Sequence, residues 1–172
     1  SMRTYVFEAS RCHVFSLPPD NMLVSELWEG LHIWTGKVRV VRDEDSKAVT
    51  IELVETDTDA VFGVCPYCRA GGADDYDSQQ SVQPAKDSTR CFVIRLEQGE
   101  DHAYIGLNFE DRNNAFQFSA ALADAKKSDQ RAATVAMLPV GDHSLKQATI
   151  VVDLSGKVKS GSGVTNTANN SG

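Results

Sequence analysis

The chain has 172 residues, with 24 acidic against 17 basic side chains and a formal net charge of −7. It is long enough to bury a core, and its sign argues against a general nucleic-acid binder, which must displace counterions from phosphates, and against adhesion to acidic membrane by net field. No apolar run reaches the roughly 18–20 residues that span a bilayer and no secretory leader is visible, so the expected compartment is the cytosol.

In chain order, residues 5–8 and 11–17 alternate as two short strands and stop at Pro18-Pro19, which cannot continue a sheet ladder. Ser25-Glu26-Leu27-Trp28 suggests a short helical turn. Residues 34–42 form a clear strand, with Val38 and Val40 on one face and Lys37, Arg39 and Val41 on the other. The cluster Asp43-Glu44-Asp45-Ser46 is its turn, and residues 48–54 return, rich in β-branched side chains. Residues 58–64 give another strand, and 66–86, poor in apolar residues, read as a long flexible loop.

The densest stretch follows. Phe92, Ile94 and Leu96 share one face of a strand and Cys91, Val93 and Arg95 the other; Gln98-Gly99-Glu100-Asp101 makes a hairpin connection to a partner strand at 103–109. From Asp111, a plausible N-cap, the period becomes helical: Ala115, Phe118 and Leu122 recur on a core-facing flank, with Phe116, Ala120 and Ala123 beside them and both phenylalanines expected in the core. The helix is expected to fray over 125–129. A last alternating stretch occupies 148–154 behind Leu145-Lys146, and the Gly/Ser/Asn-rich residues 160–172 are expected to be disordered. About seven antiparallel strands followed by one amphipathic helix is the element order of a pleckstrin-homology-like barrel, a mainly β member of the α+β class in which the helix plugs one end. The expected organisation is such a domain over 3–127, an extension over 128–159 with an additional strand near 146–154, and the tail.

Cys65-Pro66-Tyr67-Cys68 has the spacing of a glutaredoxin active site, whose first cysteine is activated at a helix N-terminus. Here Arg69-Ala70-Gly71-Gly72 follows, which breaks a helix instead of starting one. No second ligand pair with zinc spacing accompanies it, so the pair reads as incidental loop residues and no metal is expected.

Leu17-Pro18-Pro19, Ser25-Glu26-Leu27-Trp28, Trp34-Thr35-Gly36-Lys37-Val38-Arg39, Asp87-Ser88-Thr89-Arg90-Cys91-Phe92-Val93-Ile94-Arg95 and the stretch 103–118 occur in an order that resembles the adaptin ear-binding coat-associated proteins, the NECAP family, over residues 5–125. The resemblance implies an N-terminal pleckstrin-homology-like module of an endocytic accessory protein, cytoplasmic and peripheral on clathrin-coated pits and vesicles. It implies a monomer with no enzymatic activity and no cofactor, which binds the phosphorylated, activated endocytic clathrin adaptor complex and short Phe-x-Asp-x-Phe peptides. Three departures stand out: Cys91 where an aromatic is usual, Asn108 where glycine is frequent, and no tryptophan after Trp34 to form the family's C-terminal Trp-x-x-Phe motif.

A phosphothreonine receptor needs arginine forks with a hydroxyl or backbone donor nearby. Arg112 matches the family's Asp-Arg position, with Ser88 and Arg90 expected on the same rim; Lys146 and Arg95 are candidates for the aspartate of an aromatic–acidic peptide. The bland alternatives are a surface pair of Arg112 with Glu110 or Glu97, a turn role for Ser88 and a solvated face for Arg95. The competing functional reading is a phosphoinositide-binding pleckstrin-homology domain using Lys37, Arg39 and Arg42; a thiol-redox protein using Cys65 and Cys68 is the more remote one.

Overall fold

The computed structural model describes residues 2–69 and 81–136, with side chains through 128. Alternation becomes seven strands: β1 (Arg3–Phe15), β2 (His32–Asp43), β3 (Val49–Val54), β4 (Val61–Cys68), β5 (Val82–Pro84), β6 (Cys91–Gln98) and β7 (Asp101–Phe109), followed by α1 (Arg112–Ala136). The Ser25–Trp28 segment is one 3₁₀ turn, as its sequence suggests. All neighbours are antiparallel in the order β4-β3-β2-β1-β7-β6-β5. The two ends of this order come together: Cys65 Sγ lies 3.6 Å from the Ser81 carbonyl oxygen, and Arg69 pairs with Glu97, so the sheet curls into a barrel. Strand, turn and helix through Arg131 make one compact unit, Ser1–Arg131; the described part of the second, Ala132–Gly172, is the end of α1.

Several expectations change in detail. The strands at 5–8 and 11–17 are one strand, because a register shift between Ala9 and Cys12 lets β1 bend and pair with both β2 and β7. The Cys65–Cys68 motif is not loop but the end of β4, which terminates the sheet order, and a proline is tolerated on an edge strand because no neighbour needs its missing N–H. Helix α1 passes through 125–129 without ending; Ala, Lys, Gln and Arg sustain it to Ala136. The strand expected near 146–154 and the tail 160–172 lie outside the described residues.

Inside the barrel, Cys12, Val14, Val38, Val40, Ile51, Leu53, Ile94, Leu107 and Phe109 are fully buried. Each large apolar side chain so removed from water contributes about 1.5–3 kcal/mol. Helix α1 lays Ala115, Phe118 and Leu122 against this core. The Phe118 ring centroid is 5.9 Å from Phe7, 5.1 Å from Phe92 and 5.0 Å from Phe109, so one helical residue closes the end of the barrel where β1 begins, β6 begins and β7 ends. Asp111 does cap α1: its Oδ1 accepts the Asn113 N–H at 2.7 Å.

A second cluster sits outside the barrel wall. Trp28, 2% exposed, packs with Cys91 and Val93, and Met22, Leu23, Ala85 and Tyr104 surround them. The Trp28 ring lies so close to Gly106 that an added Cβ would stand 2.7 Å from it, which is why the partner strand carries no side chain there. The departures at Cys91 and Asn108 face each other across β6 and β7, where Asn108 Nδ2 donates to Cys91 Sγ at 3.1 Å; they are one compensated cross-strand pair.

Phe118→Ala is expected to cost about 3–5 kcal/mol, read as a lowered denaturation midpoint. Gly106→Ala is expected to shift tryptophan emission to the red as Trp28 is displaced; unchanged emission would contradict the packing described.

A cationic groove at the helix N-terminus

The loop between β5 and β6 is pinned before it reaches the groove. Lys86 N–H donates to the Leu23 carbonyl at 2.8 Å and Ala85 N–H to that of Cys91 at 2.9 Å. Asp87 accepts from Ser25 N–H, Ser25 Oγ–H and Glu26 N–H at 2.8, 2.9 and 2.9 Å, capping the 3₁₀ turn. These bonds hold the Asp87 carboxyl below the usual carboxylate range, the backbone N–H groups of Ser25 and Glu26 contributing most. The pinned segment Lys86–Arg90 faces the start of α1 across a groove of ≈ 1320 Å³ lined by Lys86, Ser88, Arg90, Arg112, Phe116 and Ser119 among others.

Three of the five expected site residues therefore meet: Ser88, Arg90 and Arg112 line one groove. Arg95 does not join them. It lies about 16 Å along β6 from Arg90 and bonds Glu97, which Arg69 also grips at 2.8 and 3.0 Å. Lys146 lies outside the described residues.

The surface pairs considered for Arg112 do not form. Glu97 is taken by Arg69 and Arg95, and Glu110 accepts from Arg11 at 2.8 Å and bonds His13 at 2.6 Å. Those two contacts, Arg11 first, hold the Glu110 carboxyl below its ordinary range. Asp111 is occupied with the helix cap. Among the described residues neither Lys86 nor Arg112 has a carboxylate partner, and Arg90 donates Nη1 to the Glu110 carbonyl at 3.2 Å. The cations are exposed while every acid beside them is turned to a structural donor. The helix N-terminus adds its own partial positive charge.

Phe116 and Lys86 were missed as site residues. Phe116, expected in the core, is 70% exposed. The buried stripe is Ala115, Phe118 and Leu122, whereas Phe116 lies one turn beyond Arg112 at i+4, on the groove-facing side. That spacing was the available signal. Lys86 is adjacent to the Asp87–Arg95 motif and carried no pattern of its own.

The basic strand has a different role. Lys37 Nζ pairs with Asp59 at 2.6 Å; Arg39, 6% exposed, pairs with Glu8 at 3.1 Å and Asp59 at 2.9 Å and stacks 4.7 Å over the Tyr5 ring; Arg42 pairs with Glu44 at 3.0 Å. These cations are neutralised within the fold, which removes the basis for a phosphoinositide site. Val41, placed with Lys37 and Arg39 on the outer face, is buried. The thiols are equally unsuited to redox chemistry: Cys65 and Cys68 are buried in β4, and burial pushes Cys65 up to about 12, leaving negligible thiolate near neutrality.

The family model described as protein of unknown function (DUF1681) matches residues 2–164. An uncharacterized protein of Arabidopsis thaliana is 32% identical over 123 residues, covering 69% of this chain and 42% of its own length. Adaptin ear-binding coat-associated protein 2 of Mus musculus is 32% identical over 117 residues, covering 65% of this chain and 41% of that protein. Adaptin ear-binding coat-associated protein 1 of Homo sapiens is 33% identical over 92 residues, covering 53% and 30%. This chain thus spans about two fifths of the first of these relatives. In fold it is similar to the Ran-binding domain of the nuclear pore component Nup2 from Ashbya gossypii, with a TM-score of 0.52 at 11% identity, covering 75% of this chain and 99% of that one.

Three carboxylates held by hydrogen bonds, Asp87 in the groove, Glu110 next to its Asp111 and Glu44 in the β2–β3 turn, make a pH prediction. Asp87, Glu110 and Glu44, the last lowered to about 2 chiefly by Thr4 and Lys47, have folded-state values below their unfolded ones. Their stabilisation is complete above the unfolded values of about 4 and is lost as pH falls through the depressed ones. The denaturation midpoint is expected to be lower at about pH 3 than at about pH 7; equal midpoints would contradict these bonds. By the match across residues 2–164, the chain belongs to the DUF1681 family, the N-terminal pleckstrin-homology-like domain of the adaptin ear-binding coat-associated proteins.

Proposed function

We propose that this chain is a non-enzymatic binding module of the clathrin coat, acting in endocytosis and vesicle transport by docking the phosphorylated endocytic adaptor complex. The observation that carries the reading is the convergence of Lys86, Arg90 and Arg112 around Ser88, with no carboxylate partner for Lys86 or Arg112 among the described residues. A phosphothreonine offers up to two negative charges and three acceptor oxygens, and a site built from two guanidinium forks, an ammonium and a hydroxyl matches it. Asp87, Glu110 and Asp111 nearly balance the local charge, so a diffuse acidic surface gains little here. A compact dianion that reaches several donors at once gains much more, which makes the groove selective for phosphate over mere acidity. Phe116 supplies an apolar shelf beside the cations for the residues flanking the phosphate. Within the same reading, Phe-x-Asp-x-Phe peptides use Lys146, and Arg95, held by Glu97, contributes less. The protein acts from the cytoplasm as a monomer.

In a titration, an adaptor-linker peptide carrying phosphothreonine is expected to bind at least about tenfold more tightly than its unphosphorylated form, the scale of one charge-assisted hydrogen bond. Arg112→Ala is expected to abolish the difference without lowering thermal stability. Equal binding of both peptides would sink the proposal.

A further inference from the structure

The opposite mouth of the barrel is built from other materials. There β2 begins, β3 ends, β4 begins and β6 turns into β7. A register shift between Leu53 and Val54 leaves Phe62 as an extra residue on β4, since Val54 faces Val61 and Leu53 faces Gly63. This bulge turns the Phe62 ring onto Trp34, stacked at 4.5 Å and 15°. Phe62 is still 40% exposed and Val61 59%. Trp34 in turn is held by its Nε1–H, which donates to Glu55 at 2.8 Å.

Beside this stack, a groove of ≈ 430 Å³ runs between the start of β4 and the end of β6, lined by Val61, Phe62, Val64, Leu96, Asp101 and Ala103 among others. One of its walls is a sheet edge, since β4 ends the sheet order; the other is the end of β6 and the start of β7. The charge at this mouth is one-sided. His102 lines the groove beside Glu97 and Asp101, and no Lys or Arg does. Glu97 is already neutralised by Arg69 and Arg95, and Asp59 by Lys37 and Arg39, but Asp101 and its neighbour Glu100 in the β6–β7 turn, and Asp57 in the β3–β4 turn, are exposed without a cationic partner among the described residues.

We infer that this groove docks an extended peptide segment of basic and apolar residues from a partner protein. The peptide backbone lies along the edge of β4, an apolar side chain rests on Phe62 and Val61, and a Lys or Arg reaches Asp101 and Glu100. The site lies some eight residues along β6 from the phosphate groove, about 26 Å, and has the opposite charge preference, so one module can hold two segments of different chemistry at once.

The test is anisotropy titration of the whole chain with a fluorescein-labelled peptide that alternates Lys and Val around a central Phe, with the same peptide carrying Glu in place of Lys as control. Saturable binding of the basic peptide alone is expected, with quenching of Trp34. Glu100→Lys combined with Asp101→Lys is expected to weaken it by about tenfold or more, Val61→Ser and Phe62→Ser comparably, and Arg112→Ala not at all. Val61 is exposed and outside the Trp34 stack, so its variant separates lost contact from lost fold. Weakening by charge reversal alone, with Val61→Ser and Phe62→Ser inert, would reduce the effect to bulk attraction by an acidic chain and overturn the proposal. Equal binding of the acidic peptide, or a groove filled by a second copy of the chain and seen as a dimer in sedimentation, would overturn it as well.

Discussion

The seating of Phe118 among Phe7, Phe92 and Phe109 is the constraint on which the rest depends. It is a single side chain touching the β6–β7 hairpin and the sequence-distant β1 at once, and it closes the barrel end that the curled sheet leaves open. Because the helix is rigid, its docking also sets where its first turn stands. Arg112 is six residues upstream, about 9 Å along the axis, and so arrives beside the β5–β6 loop. That loop is held independently, through Asp87 on the 3₁₀ turn and through Trp28 resting on Gly106. Two rigid bodies, a plugged helix and a pinned loop, thus form the groove between them.

Charge is distributed by task. With an excess of acids overall, the fold uses carboxylates as staples: Asp87 on backbone N–H groups, Glu110 on Arg11 and His13, Asp59 on Lys37 and Arg39. The Arg39 guanidinium is a buried example: burial works against its charge, but Glu8, Tyr5 and Asp59 outweigh this and raise its pKa above the ordinary value. Removing one such acid would leave a cation short of partners, which is costly in a buried site. What remains is local: among the described residues Lys86 and Arg112 lack a carboxylate partner at the start of α1, and Asp57, Glu100 and Asp101 lack a cationic partner at the β3–β4 and β6–β7 turns.

Much of this was legible in the sequence. Period-two alternation marked β2, β3, β6 and β7, because each has one face in the core, and the switch to helical spacing at Asp111 marked α1 and its cap. Arg112, Ser88 and Arg90 were legible through the family resemblance, and the groove brings them together. What was not legible depended on tertiary detail. Phe116 is apolar, and one position of rotation decides whether it faces core or solvent. Arg39 alternates like a solvated residue, yet the bend of β1 and the turn at Asp59 surround it with acids. The Cys65–Cys68 motif reads as loop because Arg69-Ala70-Gly71-Gly72 follows it and residues 66–86 are poor in apolar side chains, whereas pairing with β3 makes it the end of an edge strand. Arg95, a candidate for a peptide aspartate by its alternation, bonds Glu97 two residues along the same strand face.

The central claim is that a phosphate is held where the plugged helix meets the pinned loop. Amide chemical-shift mapping during addition of a phosphothreonine peptide tests it most directly. The account requires the largest shifts at Ser88, Arg90, Arg112 and Asn113, with little change along β2. Shifts concentrated at Lys37, Arg39 and Arg42, or none at the start of α1, would contradict it.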